Sequence, residues 1–227
     1  MDKFHRKGAR IMAEAVKHKP VRYTLGEEIV NAITHGIGAL CAAAGVSVLL
    51  VTAENPWQAV SYAVYGASMV MLFTMSCLYH SFTHPGVKYV MRVFDHTSIF
   101  FLIAGTYTPL TLVTLRQQTP WVGWALFGVV WAAAAVGIVL NAVSIERFKK
   151  VSMVCYVASG WCVVAAIVPL LSALPTTGLI LLGAGGLCYT GGILFYALKI
   201  KYMHGIWHLF VLAGAALHYF CVLLYAR

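Results

Sequence analysis

The segment HGIWHLFVLAGAALHYF, His204 to Phe220, is nearly all apolar yet carries three histidines, His204, His208 and His218. His204 and His208 stand four apart, a spacing that puts both on one helix face with Cβ atoms about 5–6 Å apart. Two imidazoles so placed can grip one ion. The segment SCLYH repeats the spacing with Ser76 and His80. Zinc is well served by three imidazoles and a fourth position left to water, and His80, His204 and His208 would supply the three. The helix reads HxxxH rather than HExxH, because Gly205 stands where that motif places its glutamate. A general base must therefore come from another helix. Asp95 is the candidate, a carboxylate ahead of an apolar run that could take a proton from water or hold it by hydrogen bond. Ser76, one turn deeper than His80, could orient the water or a substrate carbonyl.

Each of these residues also has a plainer role. A lone histidine in an apolar bundle is commonly a hydrogen-bonded packing residue. Asp95, with Thr97 and Ser98 behind it, could simply cap a helix. His218 lies 10 residues beyond His208, about 15 Å along a helix at 1.5 Å per residue. It falls outside any shared site and is expected to be a hydrogen-bond partner in the bundle core. His84, His5 and His18 are expected to be solvated.

The elements that must position these groups follow from composition. Of 227 residues, 61% are hydrophobic and only 10% charged, where a soluble domain is about a quarter charged. This is a membrane protein's composition. The net charge of +9 is scattered over short gaps with no basic face, which argues against nucleic acid as a partner. Cys41, Cys77, Cys155, Cys162, Cys188 and Cys221 all lie in apolar blocks without a CxxC pair. That argues against a disulfide framework and a thiolate zinc site. The first apolar block begins near Ile29 and is long enough to span, so it reads as a retained helix and not a signal peptide.

Seven apolar blocks of spanning length run about 29–52, 57–80, 96–115, 121–143, 151–171, 177–198 and 204–226. Asn55-Pro56, Pro85-Gly86, Pro120 and Pro175 punctuate them. The expectation is an all-α bundle of seven transmembrane helices over 28–227, preceded by a basic cytoplasmic leader over 1–27. Of the 16 Lys and Arg, all but Arg116 and Arg227 fall in the leader or in every second gap between spans, which is one side of the bundle. The positive-inside rule then puts the N-terminus in the cytoplasm and the C-terminus outside. Trp57, Trp121 and Trp124 would sit in an outer aromatic belt. The glycines of Gly183-Ala184-Gly185-Gly186 and Gly191-Gly192 would let the sixth helix approach a neighbour. On this orientation Glu28, Asn31 and His35, Ser76 and His80, Asp95 and His96, and His204 and His208 share one depth near the cytoplasm. Glu54 is the only carboxylate at the other end.

Four stretches together resemble the hemolysin III proteins of bacteria, within the wider progestin and adiponectin receptor family. They are EEIVNAITHGIGAL (27–40), SCLYHSFTH (76–84), FDHTSIFFLIAGTYTPL (94–110) and HGIWHLFVLAGAALHY (204–219). The resemblance implies zinc held on the cytoplasmic side of a bacterial inner membrane by His80, His204 and His208. It matches Ser76 to the family serine four residues before the first ligand, Asp95 to its aspartate opening the third helix, and Glu28, Asn31 and His35 to its first-helix motif. Receptor members resemble membrane hydrolases that include ceramidases, whereas bacterial members take their name from pore-forming lysis and have been linked to membrane homeostasis.

Three functions stand. The first is a zinc-dependent hydrolase acting inside the membrane on a lipid amide or ester that enters sideways. The second is a sensor or regulator of membrane state with zinc as a structural staple. The third is a pore, which needs a polar path across the membrane; the polar residues here stop near one leaflet. Oligomerisation is left open by the sequence.

Overall fold

A computed structural model describes residues 23–227; residues 1–22, with most of the basic leader, His5 and His18, lie outside the described residues. The chain is helical throughout the described part. Helix α1 is Leu25–Val51, α2 Pro56–Ser81 and α3 Pro85–Pro109, the last continuing through a π-helical turn, Leu110–Leu115, to Gln118. Helix α4 is Pro120–Gly160, followed by a 3-10 turn, Cys162–Ala166, and by α5 at Ile167–Ala173. Helices α6 (Thr176–Ala197) and α7 (Met203–Tyr225) complete the chain.

Local chemistry starts these helices. Thr24 Oγ1 accepts from the Glu27 N–H while the Glu27 carboxylate accepts from the Thr24 N–H at 2.8 Å, a capping box for α1. Asn55 accepts from the Gln58 N–H at 3.0 Å at the start of α2. Proline opens α2, α3 and α4, where its missing N–H has no helical partner to lose.

Six helical rods among the described residues are long and apolar enough to cross a membrane. One of them, Pro120–Ala173, has 54 residues and would reach about 80 Å if straight, against a hydrocarbon core of about 30 Å. It is not straight. Ser144 leaves helical geometry at φ −168°, ψ 109°. Asn141 Nδ2 donates to the Tyr156 hydroxyl at 2.9 Å and Ser152 Oγ donates to Asn141 Oδ1 at 2.6 Å. Partners fifteen residues apart would be about 22 Å apart along a straight helix, so the rod folds back at Ser144. The blocks expected at 121–143 and 151–171 are its two limbs.

Helix α3 corrects one expectation. It begins at Pro85 with His84 as its N-cap, so Asp95 lies three turns inside the helix and caps nothing. The early start is tolerated because its charges are paired: Lys88 reaches Glu28 at 2.8 Å and Arg92 reaches Glu146 at 2.6 Å.

Helices α1, α2, α3 and α4 pack in sequence, and α7 packs on both α6 and α1. Gly192 makes the α6–α7 approach possible, since a Cβ there would lie 2.7 Å from the Trp207 ring, whereas Gly183 faces nothing within 4 Å. Large apolar side chains on the outside, such as Ile33, Val139 and Leu194, are more than half exposed or close to it, as a lipid-facing surface requires. Trp57, Trp121 and Trp124 share one end of the bundle; the Trp57 and Trp124 rings meet at 6.1 Å and Arg116 lies 4.0 Å over Trp57. All six cysteines are free.

Candidate metal centre

At the other end of the bundle, the last turn of α2 delivers His80 and the first turns of α7 deliver His204 and His208. One nitrogen from each lies within 4.8 Å of the other two. The ring centroids are 5.2 Å apart for His80 with either partner and 4.7 Å between His204 and His208. The three imidazoles expected to meet therefore meet.

The hydrogen bonds behind the rings decide which nitrogens face inward. His80 Nδ1 lies 2.7 Å from Glu28 Oε2; a carboxylate only accepts, so Nδ1 carries the hydrogen. That leaves the Nε2 lone pair, which is buried and has no partner. His208 Nδ1 lies 3.2 Å from Thr34 Oγ1. The Thr34 hydroxyl already donates to the carbonyls of Val30 and Asn31, so its oxygen accepts from His208 Nδ1–H. Two of the three rings are thus held from behind through Nδ1, as ligand histidines generally are, and in this tautomer each keeps its lone pair on Nε2. An orphaned buried nitrogen in apolar surroundings is unfavourable by about 1–3 kcal/mol. This donor set fits a metal ion.

The surroundings are built to hold this arrangement. Glu28 Oε1 also accepts from Lys88, whose ammonium donates to the Tyr79 and Phe82 carbonyls at 3.1 and 3.2 Å. Tyr202, in the left-handed region at φ 66°, donates its backbone N–H to Glu27 Oε1 at 3.0 Å. This ties the start of α7 to the start of α1. The Tyr23 ring covers the trio, 5.0 Å from His204 and 5.6 Å from His80, and burial pushes its hydroxyl above the ordinary tyrosine range. Gly205 explains the missing glutamate. A Cβ there would sit 3.2 Å from Asn31 Oδ1 and from Val30, so a side chain at 205 would point into α1 and away from the trio.

His35 stacks on His208 with centroids 3.6 Å apart and planes 7° from parallel, and neither of its nitrogens has a partner. Asn31, also in α1, is buried with an unpartnered amide nitrogen.

His204 and His208 of the trio line a cavity of about 160 Å³. Asp95 and Ser76 line it near His204 and His208, and the cavity continues between apolar walls to His218. His96 Nδ1 lies 3.3 Å from Asp95 Oδ2. The His96 carbonyl receives the Tyr156 hydroxyl at 2.8 Å and Asn141 Nδ2 at 3.3 Å, so both limbs of α4 hold the His96–Thr97 peptide, just beyond Asp95. His218 keeps the role expected of it: its Nε2 donates to the Leu182 carbonyl at 3.0 Å. Thr34, Lys88, Tyr23 and Asn141 were not identified from sequence. Thr34 adjoins His35 in the quoted ITH, so its neighbourhood was a signal; Lys88 had been read only as a topological charge.

A family model described as Haemolysin-III related matches residues 23–219. The chain is 44% identical over 203 residues to Hemolysin-3 of Bacillus cereus, covering 88% of this chain and 91% of that one. It is 42% identical over 207 residues to the Hemolysin-3 homolog of Bacillus subtilis (strain 168), covering 89% and 96%. It is also 28% identical over 214 residues to the human monocyte to macrophage differentiation factor, covering 91% and 86%.

Proposed function

The chain belongs to the haemolysin-III-related family, and on that premise we propose that it is a zinc-dependent hydrolase of a lipid amide or ester, working within the membrane. The reading rests above all on His80: its Nδ1 is committed to Glu28 while its Nε2 is buried without a partner among three convergent imidazoles. Zinc, when bound by neutral imidazoles, supplies Lewis acidity and lowers the pKa of water to about 7. The chain's own residues do the rest. The apolar cavity takes the hydrocarbon part of the substrate and excludes bulk water. Ser76 holds the substrate carbonyl by hydrogen bond. Asp95, next to the His96 whose carbonyl both limbs of α4 hold, takes a proton and passes it to the leaving group.

We place the protein in a bacterial plasma (inner) membrane with seven crossings, the fold at Ser144 being a turn between the fourth and fifth. The histidine trio then lies toward the cytoplasm and the C-terminus outside, in keeping with the charge bias. Residues 1–27 form the basic leader and the rest is one transmembrane domain. A second reading is favoured by the staple geometry itself. Metal joining α2 to α7 would also suit a non-enzymatic regulator of membrane state.

Purified protein should carry about one zinc per chain, lost when His204 and His208 are both alanine. Lipid extracts incubated with the wild type should release fatty acid, and Asp95→Asn should abolish release while keeping its zinc. Retained zinc with no product from sphingolipid, phospholipid or N-acyl amide panels would leave the regulator reading in place.

A further inference from the structure

At the cavity end remote from the trio, polar groups remain that the proposed chemistry does not use. His218 Nε2 donates to the Leu182 carbonyl, so a neutral ring presents a bare lone pair at Nδ1. That atom is buried and has no partner. The Tyr189 ring meets His218 edge-on at 5.4 Å between centroids, and its hydroxyl is likewise buried without a partner. Both residues line the same cavity as His204, His208, Asp95 and Ser76.

Two glycines seat these side chains. A Cβ at Gly185 would collide with the His218 ring, and one at Gly214 would lie 3.0 Å from the Tyr189 ring. Between the two ends the wall is apolar, with Ile99, Leu102 and Val211. One acceptor and one group able to donate, on rings whose centroids lie 5.4 Å apart and both unsatisfied in a mainly apolar cavity, match a single hydroxyl group, which donates once and accepts once.

We infer that this end is a second polar subsite, in which His218 Nδ1 accepts from, and the Tyr189 hydroxyl donates to, a hydroxyl carried part-way along the ligand's hydrocarbon chain. The inference rests on the lipid-hydrolase reading for the placement of the ligand's head at the trio. His208 and His218 are about 15 Å apart along α7, the reach of an extended chain of roughly twelve carbons. The substrate class is therefore a lipid whose acyl chain is hydroxylated far from the carbonyl, and not at the adjacent carbon.

The test is competition for binding on the full chain in nanodiscs, with tritiated hexadecanoate displaced by octadecanoate, 12-hydroxyoctadecanoate or 2-hydroxyoctadecanoate. In the wild type the 12-hydroxy acid should compete about tenfold better than the plain acid, the worth of one net buried hydrogen bond. The 2-hydroxy acid should show no such gain. His218→Phe should bring the ratio of the 12-hydroxy acid to the plain acid to about one, and His218→Gln, which restores an acceptor, should recover part of it. Tyr189→Phe, which removes a single oxygen, should lower the ratio should the histidine variants fail to fold. Equal competition by the three acids in the wild type overturns the subsite and assigns those groups to water. A preference that survives both His218→Phe and Tyr189→Phe overturns it too, as does the absence of any fatty-acid binding. Because no bond is broken in this assay, a failed hydrolase reading shows separately, as a normal tenfold ratio without product in the lipid incubations.

Discussion

Replacing Glu28 by alanine should weaken metal binding without touching a ligand. Its carboxylate makes two short contacts, Oε2 to His80 Nδ1 at 2.7 Å and Oε1 to Lys88 at 2.8 Å. Only the first bears on the ion: it holds the ring's tautomer and direction and makes Nε2 a better donor. Loss of such an outer partner typically lowers metal affinity 10- to 100-fold, or about 1.4–2.8 kcal/mol. Glu28→Gln keeps an acceptor but loses the charge. Charge-assisted bonds are roughly twice as strong as neutral ones, so glutamine should lose about half that free energy, roughly 3- to 10-fold in affinity. Lys88→Ala leaves the His80 bond intact and should stay within about threefold of wild type. Zinc affinity measured against a calibrated chelator, in detergent and in nanodiscs, gives all three numbers. Wild-type affinity in Glu28→Ala, or a Lys88→Ala loss as large as that of Glu28→Ala, would refute the reasoning, because the carboxylate would then serve the lysine and not the histidine.

Three further outcomes are expected. Thr34→Val removes the oxygen that accepts from His208 Nδ1 at 3.2 Å; zinc affinity should fall by about tenfold at most, the bond being neutral, and less than in Glu28→Ala by the same chelator assay. Asn141→Leu strands Ser152, bonded to it at 2.6 Å, and removes its bond to Tyr156 at 2.9 Å; reversible SDS unfolding should register a loss of about 1–3 kcal/mol, with wild-type stability counting against the fold-back network. Glu27→Ala breaks both the capping box and the Tyr202 tie; about 1–2 kcal/mol should go in the same measurement, and Glu27→Gln should keep part of it.

How far the sequence could be read differs from residue to residue. His204 and His208 declared themselves because helical spacing alone puts them on one face, and charge bias set His80 at the same depth. Asp95 was placed at the right level with one of its two alternatives wrong, since nothing in VMRVFDH warns that paired charges let α3 start at Pro85. The fold-back at Ser144 was visible only as a charged gap between apolar blocks; no proline or glycine marks it, Ser144 Oγ accepts from the Arg147 N–H at 3.3 Å, and the limbs are joined by bonds from Asn141 to residues eleven and fifteen further on. The partners of Thr34 and Tyr202 were hidden for a related reason, although Thr34 stands beside His35 in the sequence. Their roles depend on partners about 175 residues away, which no local pattern reports. The small residues of α6 were read as packing, and Gly192 does pack; Gly185 does more, by making room for a histidine.

The stitch between Glu27 and Tyr202, and the trio beneath it, also set an order of events during synthesis. The α1–α2 pair can place Glu28 behind His80 as soon as both helices have left the ribosome. The remaining two ligands arrive only after His204, 124 residues later, a delay of roughly 6–25 s at ordinary elongation rates. A site that needs all three imidazoles therefore cannot form before α7 is in place, and a chain lacking α7 keeps one of the three.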